Sequence, residues 1–172
     1  MIAIVIQNLI RALLLLFLQI AILNNIQLGA FINPYLYVVV ILSLPIRMPD
    51  WLVLFIGFSV GLVMDIFTST PGMHTTATTF LAFVRPIVLK YMAPRDGYEA
   101  NDSASIRSMG YLWYLSHSTL LVFLHHSFLF TVEAFTLSGF IYTLWKAVLS
   151  TILTVFLAFI LQFWGNQKQL NN

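Results

Sequence analysis

Six apolar runs, joined by links that alternate in charge, restrict this chain more than any motif in it. The runs begin near Ile2, Phe31, Trp51, His74, Gly110 and Gly139. The links at 24–33, 68–73 and 131–138 carry no Lys or Arg. The intervening links do: Arg47 in 45–50, then Lys90, Arg95 and Arg107 in 90–107, with Lys168 in the tail. Cationic segments resist translocation, so cations collect on the cytoplasmic side. The alternation predicts an all-α integral membrane protein, six transmembrane helices with both termini in the cytoplasm.

Bulk composition points the same way. The chain is 60% hydrophobic and 8% charged, with mean hydropathy +0.91. A soluble domain of 172 residues needs far more charge to cover its surface. Roughly 20 residues cross a bilayer core, so six spans use most of the length. The expected spans are 2–23, 31–46, 51–67, 74–89, 109–130 and 139–164, with a cytoplasmic loop at 90–108, all in one domain, 1–172. The net charge of +2 comes from anchoring cations, not from a basic patch interleaved with aromatics, so nucleic acid is not an expected partner. Cys is absent, which excludes disulfides and Cys-based metal sites. Arg11 followed by an apolar stretch imitates a secretory signal. No small-x-small cleavage site follows, and the run is expected to stay as a helix.

The first run carries Gln7, Asn8, Arg11 and Gln19 at helical spacing, a polar stripe expected to face other helices. The second begins at Asn33-Pro34 and ends in a two-proline turn, 44–50. In the third, Gly57, Gly61 and Asp65 follow at steps of four, so a neighbouring backbone can approach closely beside a carboxylate. Pro71-Gly72 reads as the pivot of the next turn. Asn101-Asp102-Ser103 is a sequon expected to be idle on the inner face. The last run carries Tyr142, Lys146, Ser150 and Thr154 along one face. Tyr35, Tyr37, Trp51, Trp113, Tyr114 and Trp164 fall near span ends, where aromatic belts form.

Asp65 and Lys146 are the charges most clearly within the membrane layer. An unpaired charge there costs at least ~2.5–3.5 kcal/mol. An Asp65–Lys146 pair is expected, with Glu133 the rival partner for the lysine. A proton pathway needs several acidic or histidine groups in series, and none continues inward from Asp65. His125-His126 does not form a chelate, because adjacent helical residues diverge by about 100°, so no metal site is assigned. Neither a Gly-x-Ser nucleophile motif nor a second buried Asp supports intramembrane proteolysis. No catalytic residue and no cofactor is assigned, and the protein is not read as an enzyme. Arg85-Pro86 is expected to be a topology anchor, with headgroup or partner recognition as the sharper reading.

Several motifs, in order, suggest a family. Gly61-Leu-Val-Met-Asp65-Ile-Phe followed by Thr70-Pro71-Gly72-Met73-His74 resembles the signature of the bacterial rod shape-determining MreD family. So do Asn24-Asn25-Ile26-Gln27-Leu28 with Asn33-Pro34-Tyr35, Arg85-Pro86, and Ala93-Pro94-Arg95-Asp96-Gly97-Tyr98. His125-His126 and the last run look like the Bacteroidota version. The resemblance implies a non-catalytic inner-membrane scaffold of the cell-elongation complex. Its implied partners are MreC, and with it MreB, RodA and a class B penicillin-binding protein in lateral peptidoglycan synthesis. It also implies a fold similar to the S component of energy-coupling-factor transporters. Gly61, Asp65, Pro71 and Gly72 carry over as structural positions only. The alternative is a small-molecule-binding transport subunit of S-component type, with a polar pocket lined by Asp65, His125, His126 and Lys146.

Overall fold

A computed structural model of the chain describes residues 2–26, 32–99, 102–135 and 139–167. Gln27, Leu28, Asn101 and Lys168 lie outside the described residues, as do the side chains of Gln7 and Trp164. Seven α-helices follow in order: α1 Ile2–Ala21, α2 Val39–Leu42, α3 Asp50–Thr68, α4 Met73–Tyr91, α5 Ile106–Met109, α6 Tyr111–Ala134 and α7 Phe140–Gln167. Two 3₁₀ turns, Leu23–Asn25 and Leu36–Val38, stand outside them. Among the described residues there is no strand, only an isolated bridge between Pro45 and Ser103.

Among the described residues, four helical stretches are long and apolar enough to cross a membrane: 8–25, 50–68, 111–134 and 140–163. The other long helix, α4, has 19 residues but falls short on apolarity, because it holds His74, four threonines, Arg85 and Lys90. His74, Thr75 and Arg85 bond to neighbouring elements, whereas Thr76, Thr78 and Thr79 bond carbonyls of the preceding turn; α4 packs extensively on α3 and α6. Pro86 lies within α4 and cannot donate to the carbonyl four residues back. The helix nonetheless continues past the expected end to Tyr91.

The second expected span is corrected. The stretch 31–46 is not one helix: residues 32–35 are irregular, a 3₁₀ turn follows, and α2 has four residues. Every residue from Leu36 to Leu42 is buried. This thread is the centre of the main apolar cluster, packed against Leu15, Val53, Met64, Leu81 and Leu121 from four surrounding helices.

The α3–α4 hairpin is the tightest contact. A Cβ built at Gly57 would stand 2.8 Å from Ala82 Cβ and 2.9 Å from the Thr78 carbonyl oxygen. At Gly61 it would meet the backbone of His74 and Thr75. The turn between the helices uses Ser69 and Gly72, both with positive φ. The other end of the bundle is closed by the loop after α4. Tyr98 Oη donates to the Leu89 carbonyl at 2.8 Å, Trp113 Nε1 to that of Met92 at 2.9 Å, and Arg47 to that of Tyr98 at 2.5 Å. Gly110 separates α5 from α6, so the fifth expected helix begins slightly later and extends to Ala134.

Candidate functional site

Irregular backbone inside an apolar bundle leaves amides that must find partners. Distant side chains supply them here. Gln19 of α1 accepts from Leu36 N–H at 2.6 Å and Tyr37 N–H at 3.4 Å, and donates to the Pro34 carbonyl at 3.0 Å. On α7, Ser150 accepts from Asn33 N–H at 3.0 Å and Thr154 from Tyr35 N–H at 3.2 Å. Gln19 of the first helix and Ser150 and Thr154 of the last are thus spent on the central thread.

Around that thread lies a buried chain of polar groups whose proton order can be worked out. The Val122 carbonyl only accepts, so His126 Nδ1, 2.9 Å away, carries the proton. His126 Nε2 then accepts from Thr154 Oγ1–H at 3.2 Å. His125 Nδ1 faces His126 Nδ1 at a longer 3.4 Å and is the acceptor of that pair, so its proton sits on Nε2. From there His125 donates to Tyr37 Oη at 3.1 Å, and Tyr37 donates to His74 Nδ1 at 2.8 Å. The order needs all three rings neutral. Tyr35, Tyr37, His74, His125, His126 and Phe130 touch one another with ring centroids 5.2–6.0 Å apart. Rings fill the space around His125 and His126. Two grooves, of about 620 and 430 Å³, lie one over the α3–α4 turn, where Asp65 is among its lining residues, and one along the exposed side of α6.

Asp65 does not pair with Lys146, and that expectation is corrected. Asp65 Oδ1 accepts from Thr70 Oγ1–H and His74 N–H, both at 2.9 Å; Oδ2 accepts from Thr75 N–H at 2.9 Å and Thr75 Oγ1–H at 2.5 Å. The carboxylate therefore caps the start of α4 from the end of α3. Four donors fill its lone pairs, leaving none for a proton relay. Lys146 pairs with Glu133 at 3.0 Å and lies 4.3 Å over the Phe130 ring. The α6–α7 hairpin brings those two together, a register that composition does not reveal.

Arg85 is not exposed: only 1% of its surface is accessible, and it donates to the Leu44 and Pro45 carbonyls at 2.5 and 3.3 Å. Tyr37 and Tyr114 are likewise buried and belong to no interfacial belt, whereas Trp51 is exposed. In the loop, Asp102 accepts from Glu99 N–H and Ser108 Oγ–H, and those bonds hold its carboxyl below the ordinary value of 3.8. Burial raises the Tyr98 phenol above its usual range. Among the described residues, no three of His, Cys, Asp and Glu stand together as metal ligands. Gln19 belongs to the stripe expected to face other helices, and it does so; the spacing of Tyr37 and His74 gives no sign of their place in the core network. Their signal is chemical: a polar group within an apolar run.

Fold and site together define a class, an all-helical protein with helices fit for a membrane and a central thread held by polar side chains of its neighbours. No family model, no curated protein and no solved structure matches this chain.

Proposed function

We propose that the protein is a six-pass scaffold of the bacterial inner membrane, of MreD type, that holds the MreC helix from the side within the cell-elongation complex. MreB, RodA and a class B penicillin-binding protein are the further partners of that complex. In this reading the thread at 32–44 is the second crossing, and both termini are cytoplasmic.

One observation carries the reading. Asp65, His125 and His126, the polar groups a ligand pocket would use, are engaged in holding the chain together, while large apolar side chains cover the outer faces of α1, α3 and α7. A protein built that way offers lipid-facing helices and short loops to partners. The same ring-filled interior weighs against a ligand-binding S component, which needs an open polar pocket. The test is purification in mild detergent from native membranes. Co-isolation of a single-span protein with a periplasmic coiled coil, as MreC is, supports the scaffold. Co-isolation of an ATPase module overturns it.

A further inference from the structure

The end of the bundle where α4 finishes and α6 begins holds a second polar cluster, separate from the histidine chain. On α6, Tyr114, His117 and Ser118 lie at spacings of three and four, hence on one face. All three are at most 1% exposed; His117 Nδ1 and Nε2 have no partner among the protein atoms, while Tyr114 Oη lies near Ser118 and Gln162 without a well-formed hydrogen bond to either. Arg85 approaches from α4 with Nε also unpartnered, within electrostatic range of His117. The His117 ring stacks on Trp113, with centroids 4.7 Å apart and planes 13° apart. Stacking fixes the ring so that its nitrogens point edgewise, away from the indole face. Gln162 of α7 and Arg11 of α1 complete the surroundings of Tyr114. Arg11 is the exposed member, at the rim.

The donor count decides what fits. Arg85 Nε and one His117 nitrogen can only donate, the Tyr114 and Ser118 hydroxyls can turn a proton toward an acceptor, and the guanidinium makes no ion pair among the described residues. The carboxylate acting on Arg85 is Asp50, which stands beyond ion-pair distance. A buried cation without a counter-charge is costly. Water satisfies donors but leaves that charge uncompensated. An anion with several acceptor oxygens answers both needs, and a guanidinium matches a phosphate's geometry with paired donors. We infer that Arg85, Tyr114, His117 and Ser118, with Arg11 at the entrance, form a binding site for a phosphate-bearing anion, the headgroup of an acidic phospholipid or a free phosphate. The inference stands independently of the scaffold reading, since it uses no feature of MreC binding.

The experiment uses the full chain in nanodiscs, made from phosphatidylcholine alone or with phosphatidylglycerol, and follows melting temperature and lipid retention by native mass spectrometry. Three proteins are compared: the natural chain, His117→Phe, which keeps the stack on Trp113, and Tyr114→Phe/Ser118→Ala. Arg85→Gln is unsuitable alone, because Arg85 also holds the Leu44–Pro45 turn. The expected result is stabilisation of the natural chain by phosphatidylglycerol and retention of one such lipid, weakened about tenfold in both variants, as for loss of a charge-assisted hydrogen bond. If inorganic phosphate stabilises the natural chain in phosphatidylcholine discs, and phosphatidylglycerol does not, the ligand is free phosphate. If neither stabilises it, or the variants respond as the natural chain does, the site is refuted. Variants that simply melt higher in every disc would mean that the polar atoms are buried to no purpose.

Discussion

Asp65 is where a single residue does the most structural work. Its carboxylate ties the end of α3 to the first turn of α4 through four hydrogen bonds. Asp65→Asn replaces one acceptor oxygen with a donor that then faces N–H and O–H groups. The expected loss is about 1–3 kcal/mol, read by thermal unfolding in detergent. Exchanging the charges of Asp65 and Lys146 should restore nothing, whereas exchanging Glu133 and Lys146 should be near neutral. Glu133 is 45% exposed, and exposed pairs contribute about 1 kcal/mol or less. Rescue by the Asp65–Lys146 exchange would contradict the geometry. At Asp102 the prediction concerns pH. Its folded-state pKa is depressed, so its contribution is present above the unfolded value near 3.8 and is lost as pH falls through the lower folded value. Amide exchange at Glu99 should therefore accelerate below that point, and Asp102→Asn should remove the pH dependence. Protection of Glu99 unchanged into stronger acid would argue against the bond.

Among the elements, α3 and α4 were the most legible in the sequence and the central thread the least. Gly57, Gly61 and Asp65 at steps of four, then Pro71-Gly72, fix both helices and their turn to within two residues of the observed ends. They do so because close packing and reversal each demand particular residue types nearby. Gly61→Ala would push a methyl into the backbone of His74 and Thr75, which does not yield as a side chain does. A cost of about 1–3 kcal/mol is expected, and it should exceed that of Gly72→Ala, where the space is open and only the positive φ resists. The thread was read as a helix because its residues are apolar, and composition does not reveal who satisfies an amide. Its partners Ser150 and Thr154 are 117 and 119 residues from the groups they bind. Gln19→Leu, close in volume, strands Leu36 N–H and the Pro34 carbonyl together, so it should destabilise more than Ser150→Ala, which releases one bond. Single interhelical bonds in membranes average ~0.6 kcal/mol. Equal effects in graded SDS unfolding would show that the thread does not depend on α1.

For the whole molecule the decisive quantity is the number of crossings, and the thread controls it. Residues 32–44 are too irregular to be identified as a span by length and apolarity, yet Asn33 bonds partway along α7 while the Leu44 carbonyl bonds Arg85 near the far end of α4. Those two bonds tie the thread to different levels of the bundle. Asn25 and Asp50 flank it, and both are exposed. The absence of cysteine makes any introduced thiol a unique reporter. In sealed vesicles, Asn25→Cys and Phe135→Cys should react with an impermeant maleimide from one side, and Asp50→Cys and Arg95→Cys only from the other. If Asn25→Cys and Asp50→Cys label from the same side, the thread enters and returns without crossing. The cation alternation would then lose its explanation: a return at that point reverses every later link, putting Lys90, Arg95 and Arg107 on the side opposite Arg11. Labelling from opposite sides makes the polar groups of α1 and α7 the reason a broken segment can cross at all, since they replace the intrahelical bonds it lacks.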